Sequence, residues 1–175
     1  MEFKELICER RSIRGYASAI GHDDLVAVLR MAQQAPSWKN QQASRCYAVE
    51  TPELLEDLRS CALPVFNRNS SANAALIVTT FVKDEVGFSG GEPVNEVANG
   101  WGAYDLGLHS AYLILAARSL GYDTLIMGIR DADVIREKLS IPDNEEIMSV
   151  IAIGKRSADP SVRPRKDLNE VVRFF

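Results

Sequence analysis

Three arginines surround a serine in the run Arg10-Arg11-Ser12-Ile13-Arg14. A guanidinium is planar, stays charged at physiological pH and meets phosphate oxygens with two parallel donors. Ser12 adds a hydroxyl and a backbone N–H. At a helix end this set suits a phosphate with a neighbouring polyol, or simply a solvated basic terminus. A second basic group, Arg163, Arg165 and Lys166, lies near the other end of the chain. A different chemistry is concentrated in Ala35-Pro36-Ser37-Trp38-Lys39-Asn40-Gln41-Gln42. Its amides can read the edge of a flat heterocycle, and they also suit an ordinary polar turn. Gly128, after the apolar run Leu125-Ile126-Met127, allows either a turn or the close approach of a ligand to the backbone.

Other chemistries are missing from the pattern. There is no GxGxxG and no Walker sequence, which disfavours a Rossmann or P-loop nucleotide site. Cys8, Cys46 and Cys61 form no CxxC, and His22 and His109 stand in no ligand pattern with them, so no metal site is expected. No Ser-His-Asp arrangement stands out. The net charge of -4 argues against a dedicated nucleic-acid binder, although two local basic clusters suit a small anion. An odd number of cysteines and an N-terminus without an apolar signal core fit a reducing cytoplasm. No apolar run approaches the roughly 20 residues that span a bilayer, so no membrane partner is expected.

The elements that must position these residues follow from periodicity. Residues 1–175 read as one domain without repeats or linkers. Phe3, Leu6 and Ile7 give a helix over 2–10. A second helix begins near Asp23, with His22 or Asp23 as its cap, and is closed by Pro36. Residues 45–50 read as a strand. Thr51-Pro52 then opens a short helix, Thr as the cap and Pro at the first helical position. Ala74 to Val82 is β-branched and apolar throughout, as in a strand buried on both faces. Residues 83–100, with four glycines and a proline, read as a long binding or lid loop. Tyr104 to Leu120 is apolar almost all round, hence a central helix stopped by Gly121. Asp131 caps a further helix through Leu139, and Ile147 to Ile153 is a second apolar strand. The basic tail ends in Val171-Val172-Arg173-Phe174-Phe175, which must dock either on its own core or on a partner. Helices and strands mix without a βαβ beat, so the fold class is α+β.

Taken in order and spacing, these segments resemble the nitroreductase family. Arg10-Arg11-Ser12-Ile13-Arg14 resembles its R-R-S-x-R signature. Ala35-Pro36-Ser37 through Asn40-x-Gln42 resembles its A-P-S-x-x-N-x-Q segment. Asp105-x-Gly107 through Gly121 is similar to its long central helix, and Ile126-Met127-Gly128 to the segment passing the flavin ring. Ile151 to Lys155, with the basic tail, is similar to its C-terminal strand and arm. One departure stands out: Ala43-Ser44 replaces the family's usual Pro-Trp.

The resemblance implies an α+β fold with a mostly antiparallel central sheet flanked by helices. It implies a homodimer that exchanges its C-terminal arms and holds FMN in the interface. Arg10, Arg11, Ser12 and Arg14 would hold the FMN phosphate and ribityl chain, completed by some of Arg163, Arg165 and Lys166. Pro36, Ser37, Trp38, Asn40 and Gln42 would approach the same flavin from the other subunit. Asn67, Met127 and Gly128 would lie along the isoalloxazine. NADH or NADPH would donate hydride, and small-molecule nitroaromatics, quinones or similar flat electrophiles would be reduced in ping-pong turnover. The flavin would carry the chemistry, with no catalytic side chain required. The rival readings are a flavin-binding or redox-sensing protein without efficient turnover, and a specialised dehalogenase-like flavin enzyme.

Overall fold

The longest strand, Glu145–Arg156, organises the molecule. The computed structural model describes residues 2–160 and 162–175. In chain order the elements are α1 (Phe3–Glu9), β1 (Tyr16–Ala19), α2 (His22–Ala32), a single 3-10 turn (Trp38–Asn40), β2 (Ser44–Val49), α3 (Pro52–Ala62), α4 (Val65–Ser70), β3 (Ala75–Val82), β4 (Phe88–Ser89), β5 (Glu92–Pro93), α5 (Gly100–Ser119), β6 (Asp123–Met127), α6 (Ala132–Leu139), β7 (Glu145–Arg156) and α7 (Leu168–Val171). β7 pairs antiparallel with β1, β3 and β6, and β3 pairs antiparallel with β2. β4 and β5 form a separate small hairpin.

Every residue of β3 is buried, and the reason is a core on each face of the sheet. Leu76 and Val78 point into one core with Leu55, Leu58 and Ala62 of α3 and Ile135 of α6. Ala75 and Ile77 point into the other, with Leu25 and Val28 of α2 and Leu113 and Ala117 of α5. A continuous apolar strand is thus the period-two pattern doubled, one set of side chains for each layer of helices. A bulge between Thr79 and Thr80 shifts the register with β7, and Thr79 bonds Ser149 across it. Gly102 lets α5 lie close on this sheet, because a Cβ there would meet the Phe81 ring at 2.4 Å. Gly121 ends α5 with φ +77°, a conformation that favours glycine.

Several expectations need correction. Gly21, rather than His22 or Asp23, occupies the N-cap of α2, and no side chain caps it. Thr51 holds the cap position of α3 but its hydroxyl makes no cap bond, so Pro52 carries that helix start. α5 begins at Gly100, four residues before Tyr104, and β7 extends beyond 147–153 at both ends. The 83–100 loop contains the β4–β5 hairpin. β1, α4 and β6 were not anticipated. The tail does not dock on its own core: Val171, Phe174 and Phe175 are all exposed.

Candidate functional site

α1 ends at Glu9 because Arg10 turns to extended backbone while its N–H still bonds the Leu6 carbonyl. The chain then runs beside β6: Ser12 bridges Thr124, and the Ile13 N–H donates to the Thr124 carbonyl at 3.0 Å. Ile13 is buried and anchors the segment, so its neighbours Ser12 and Arg14 are turned outward. Arg10, Arg11, Ser12 and Arg14 therefore line one cleft of about 1,100 Å³. Its opposite wall comes from the arm after β7 and includes Arg163 and Arg165. Lys166 is not among its lining residues. Ile114 and Leu115 of α5, with Ile7 of α1, add apolar surface.

The electrostatics of this cleft call for an anion. Among the described residues, none of its five arginines at 10, 11, 14, 163 and 165 is held in an ion pair. The Arg10 guanidinium is pushed below its ordinary pKa, first by burial and then by the charges of Arg165 and Arg11. A dianionic phosphate placed there would relieve that repulsion and give the guanidinium forks their acceptors. The residues thus fit a phosphate-bearing group with a polyol and an apolar ring.

The 36–42 segment is held by other means. Asp105 on α5 is 4% exposed, and its carboxylate accepts the Trp38 N–H at 2.8 Å. The Ser37 hydroxyl accepts the Gln42 N–H at 3.1 Å, and the Gln42 amide donates to Asn40 Oδ1 at 3.2 Å. Lys39, Asn40 and Gln42 all have positive φ, at 48°, 58° and 51°. Three left-handed non-glycine residues in four positions mark a backbone that its surroundings hold in place. The Trp38 ring packs at a tilt with its centroid 4.8 Å from that of Trp101, and the Gln41 amide donates to the Glu85 carbonyl, which ties the loop to the 83–100 segment. Pro36, Ser37 and Gln42 line a second cleft of about 370 Å³ with Asp105, His109 and Cys46. Burial pushes the Cys46 thiol up to about 12 and lowers the His109 pKa. The Nδ1 atom of His109 is buried and has no hydrogen-bond partner among the described residues.

Asn67 is buried in α4, and its amide donates to the Ile129 carbonyl at 2.8 Å. That bond fixes the segment after β6, where Met127 is buried and Gly128 exposed. One chain therefore brings together the basic residues at 10–14 and 163–165. It places Pro36, Ser37 and Gln42 in a different cleft, and none of Asn67, Met127 and Gly128 lines either one.

Two buried carboxylates next to these features were not singled out from the sequence. The sequence pattern gives Asp105 a place only in the long central helix and gives Asp123 no site role. The available signal was an acid inside an apolar segment, as in Tyr122-Asp123-Thr124-Leu125-Ile126-Met127.

Comparison with known proteins agrees with this geometry. The nitroreductase family model matches residues 7–155. A protein of Archaeoglobus fulgidus, provisionally named an NADH dehydrogenase/NAD(P)H nitroreductase, is 28% identical over 158 residues, covering 87% of this chain and 84% of its own. The crystal structure of a nitroreductase family protein from Clostridium difficile is 26% identical, with a TM-score of 0.82 over 99% of this chain and 98% of that one. A provisionally assigned nitroreductase of Exiguobacterium sibiricum, solved in complex with FMN, shares the fold with a TM-score of 0.86 at 22% identity, over 100% of this chain and 98% of that one. With a family match over most of its length and the same fold, the chain belongs to the nitroreductase family.

Proposed function

We propose that this chain is an FMN-dependent oxidoreductase that takes hydride from NADH or NADPH. Its second substrates are small flat electrophiles such as nitroaromatics and quinones, reduced in ping-pong turnover. The observation that carries this reading is the cleft in which Arg10, Arg11, Ser12 and Arg14 face Arg163 and Arg165 without acidic partners among the described residues. Guanidinium forks there would hold the phosphate, and the Ser12 hydroxyl the polyol. When bound, FMN supplies the two-electron chemistry, and the protein supplies orientation and charge. The relatives' names support the nicotinamide donor, and the FMN complex of the Exiguobacterium protein supports the cofactor.

The site is completed in a homodimer. Pro36, Ser37, Trp38, Asn40 and Gln42 approach the flavin held by the partner, as does the backbone of the fixed 37–42 loop. Asn67, Met127 and Gly128 lie along its ring. Two features support this assembly: the two groups of residues lie in separate clefts of one chain, and Val171, Phe174 and Phe175 are exposed at the arm's end. Exposed apolar side chains concentrated on a terminal arm suit burial on a second copy. The whole of residues 1–175 acts as one domain, and its three free cysteines suit a reducing, cytoplasmic setting.

The test is the absorption spectrum of the purified, desalted protein, followed by NADH and NADPH under nitrogen. The expected result is a flavin spectrum that bleaches with a pyridine nucleotide, from a dimer by light scattering. A flavin that stays oxidised with both would instead favour a binding or sensing role. No flavin, even after reconstitution with FMN, would overturn the proposal.

A further inference from the structure

Beside the basic cleft lies a chain of ion pairs, of whose members Asp159 alone lines the cleft. Its centre is Asp123, at the start of β6, whose side chain is 2% exposed. Arg156 grips this carboxylate with both arms, Nε to Oδ2 at 2.7 Å and Nη2 to Oδ1 at 2.8 Å. The remaining Arg156 nitrogen reaches Asp159 at 2.6 Å. On the other side Arg118, from the last turn of α5, stands 3.5 Å from Asp123 and 2.7 Å from Glu9. One outer acid, Asp159, lines the cleft, and the other, Glu9, adjoins it in sequence. Glu9 directly precedes Arg10, and Asp159 opens the arm that carries Arg163 and Arg165. The residue after Asp123 adds a third tie, since the Thr124 carbonyl accepts the Ile13 N–H.

We propose that Asp123 is a positioning residue for the basic cleft: its buried carboxylate, through Arg118 and Arg156, sets how far the Arg10–Arg14 wall stands from the Arg163–Arg165 wall. The inference rests on the reading of this cleft as the FMN phosphate site. Its physical ground is geometric. Five arginines repel one another and would spread unless both walls were fixed to something rigid, and β6 paired to β7 is rigid. Bidentate arginine–carboxylate pairs hold angle as well as distance, which a single contact does not. The network also engages Asp123, Glu9 and Asp159 with Arg118 and Arg156, so these acids are paired and not left to neutralise the arginines that should meet the phosphate.

The experiment titrates the deflavinated full-length protein with FMN and, separately, with riboflavin, which has the same ring and polyol but no phosphate. Asp123→Asn keeps the shape and loses the charge. Its FMN affinity should fall roughly tenfold, about the worth of one charge-assisted hydrogen bond, while riboflavin affinity stays within about twofold of wild type. A merely structural role for Asp123 would weaken both ligands together, and that result would overturn the proposal. Glu9→Gln and Asp159→Asn, at more exposed positions, each cut one outer link and should lower the FMN-to-riboflavin preference by a smaller factor. They decide the question if Asp123→Asn fails to fold by far-ultraviolet circular dichroism; an unchanged preference in both would then overturn the proposal. Wild-type protein that binds neither flavin, or binds both equally, would sink the phosphate reading and this inference with it. A wild-type preference for FMN that survives all three variants would sink this inference alone.

Discussion

In the basic cleft the recognising groups sit at the ends of long side chains on exposed or half-buried residues, whereas in the 36–42 loop the backbone itself is locked into an uncommon shape. Ordering an arginine costs up to about 2 kcal/mol of side-chain entropy, borne when the ligand arrives. Left-handed non-glycine residues cost of order 1 kcal/mol or more each, borne when the protein folds. The cleft is thus a charge detector whose strength depends on its ligand and on salt. The loop is preorganised and discriminates by shape. The same split explains what holds each region: ion pairs beside exposed or half-buried arginines, and a buried carboxylate behind a strained turn.

The sharpest way to break this comparison is to remove charge from the cleft. The double substitution Arg10→Ala with Arg14→Ala removes two phosphate forks, each worth about 1.5–3 kcal/mol in charge-assisted bonds. FMN affinity should fall by roughly 100-fold or more, and a desalted sample should emerge nearly colourless. Affinity should also drop with added salt in wild type and far less in the double variant. Retention equal to wild type would show that the cleft is not the phosphate site. By contrast, Asn40→Ala with Gln42→Ala should weaken FMN with little change in its salt dependence.

Combining those two variants tests whether the regions meet across a dimer. After desalting, the arginine double variant should be nearly colourless and the amide double variant should hold less flavin than wild type. In a mixed dimer of the two, one site receives both altered halves and the other both intact halves. Co-expressed and purified through two different tags, the mixed dimer should hold about one flavin per two chains, a count that follows from two-fold symmetry. No recovery in a verified mixed dimer would place both sets of residues at the same chain's site, or at none.

A smaller effect follows from the loop's support. Asp105→Ala leaves the partly buried Trp38 N–H without its acceptor, which should lower stability by about 1 kcal/mol in urea unfolding. Asp105→Asn keeps one oxygen acceptor and should retain more of that stability. An Ala variant as stable as wild type would mean that Asp105 does not hold the loop.

How far these features could be read from the sequence depends on how locally each is determined. β3 was legible because a run such as Leu76-Ile77-Val78 is apolar whichever face it meets, and α6 because Asp131 accepts the Val134 N–H as an N-cap should. β1 was hidden because Tyr16-Ala17-Ser18-Ala19 is short, mostly exposed and has little strand propensity; its pairing to β7 decides it. β6 was hidden by Asp123, which breaks an apolar run unless the arginines that neutralise it are known. α4 was hidden because it turns Asn67 inward and leaves Val65 and Phe66 exposed, the reverse of the usual helical pattern. At the candidate site the arginine cluster and the amide loop were visible as residue types. Their supports, Asp105 and Asp123, were not, because the Trp38 N–H that Asp105 accepts and the Arg156 that grips Asp123 lie about 30 residues or more away in the chain.

The smallest expected effect contrasts the two histidines and reaches back to the loop cleft. His109 lines that cleft, and burial alone lowers its pKa below the ordinary 6.5. Well above that value it is neutral whether the chain is folded or not, so it contributes no slope there. As the pH falls below that value the unfolded chain takes up the proton first, and stability is lost until the pH has passed the lowered folded value. His22 works in the opposite direction. Its pKa is raised, chiefly by the hydrogen bond to Glu50 at 2.9 Å, so its contribution is complete below about 6.5 and disappears as the pH rises through the raised value. In a His22→Gln background, therefore, acidification from neutral pH should destabilise the protein through His109, and adding His109→Leu should flatten that slope. Urea midpoints across this pH range measure it, with the slope rather than the absolute midpoint as the readout, since the leucine also changes packing. A slope unchanged by His109→Leu would mean that the ring is already hydrated, and that the cleft beside the 36–42 loop is wetter and less rigid than the basic cleft it is contrasted with.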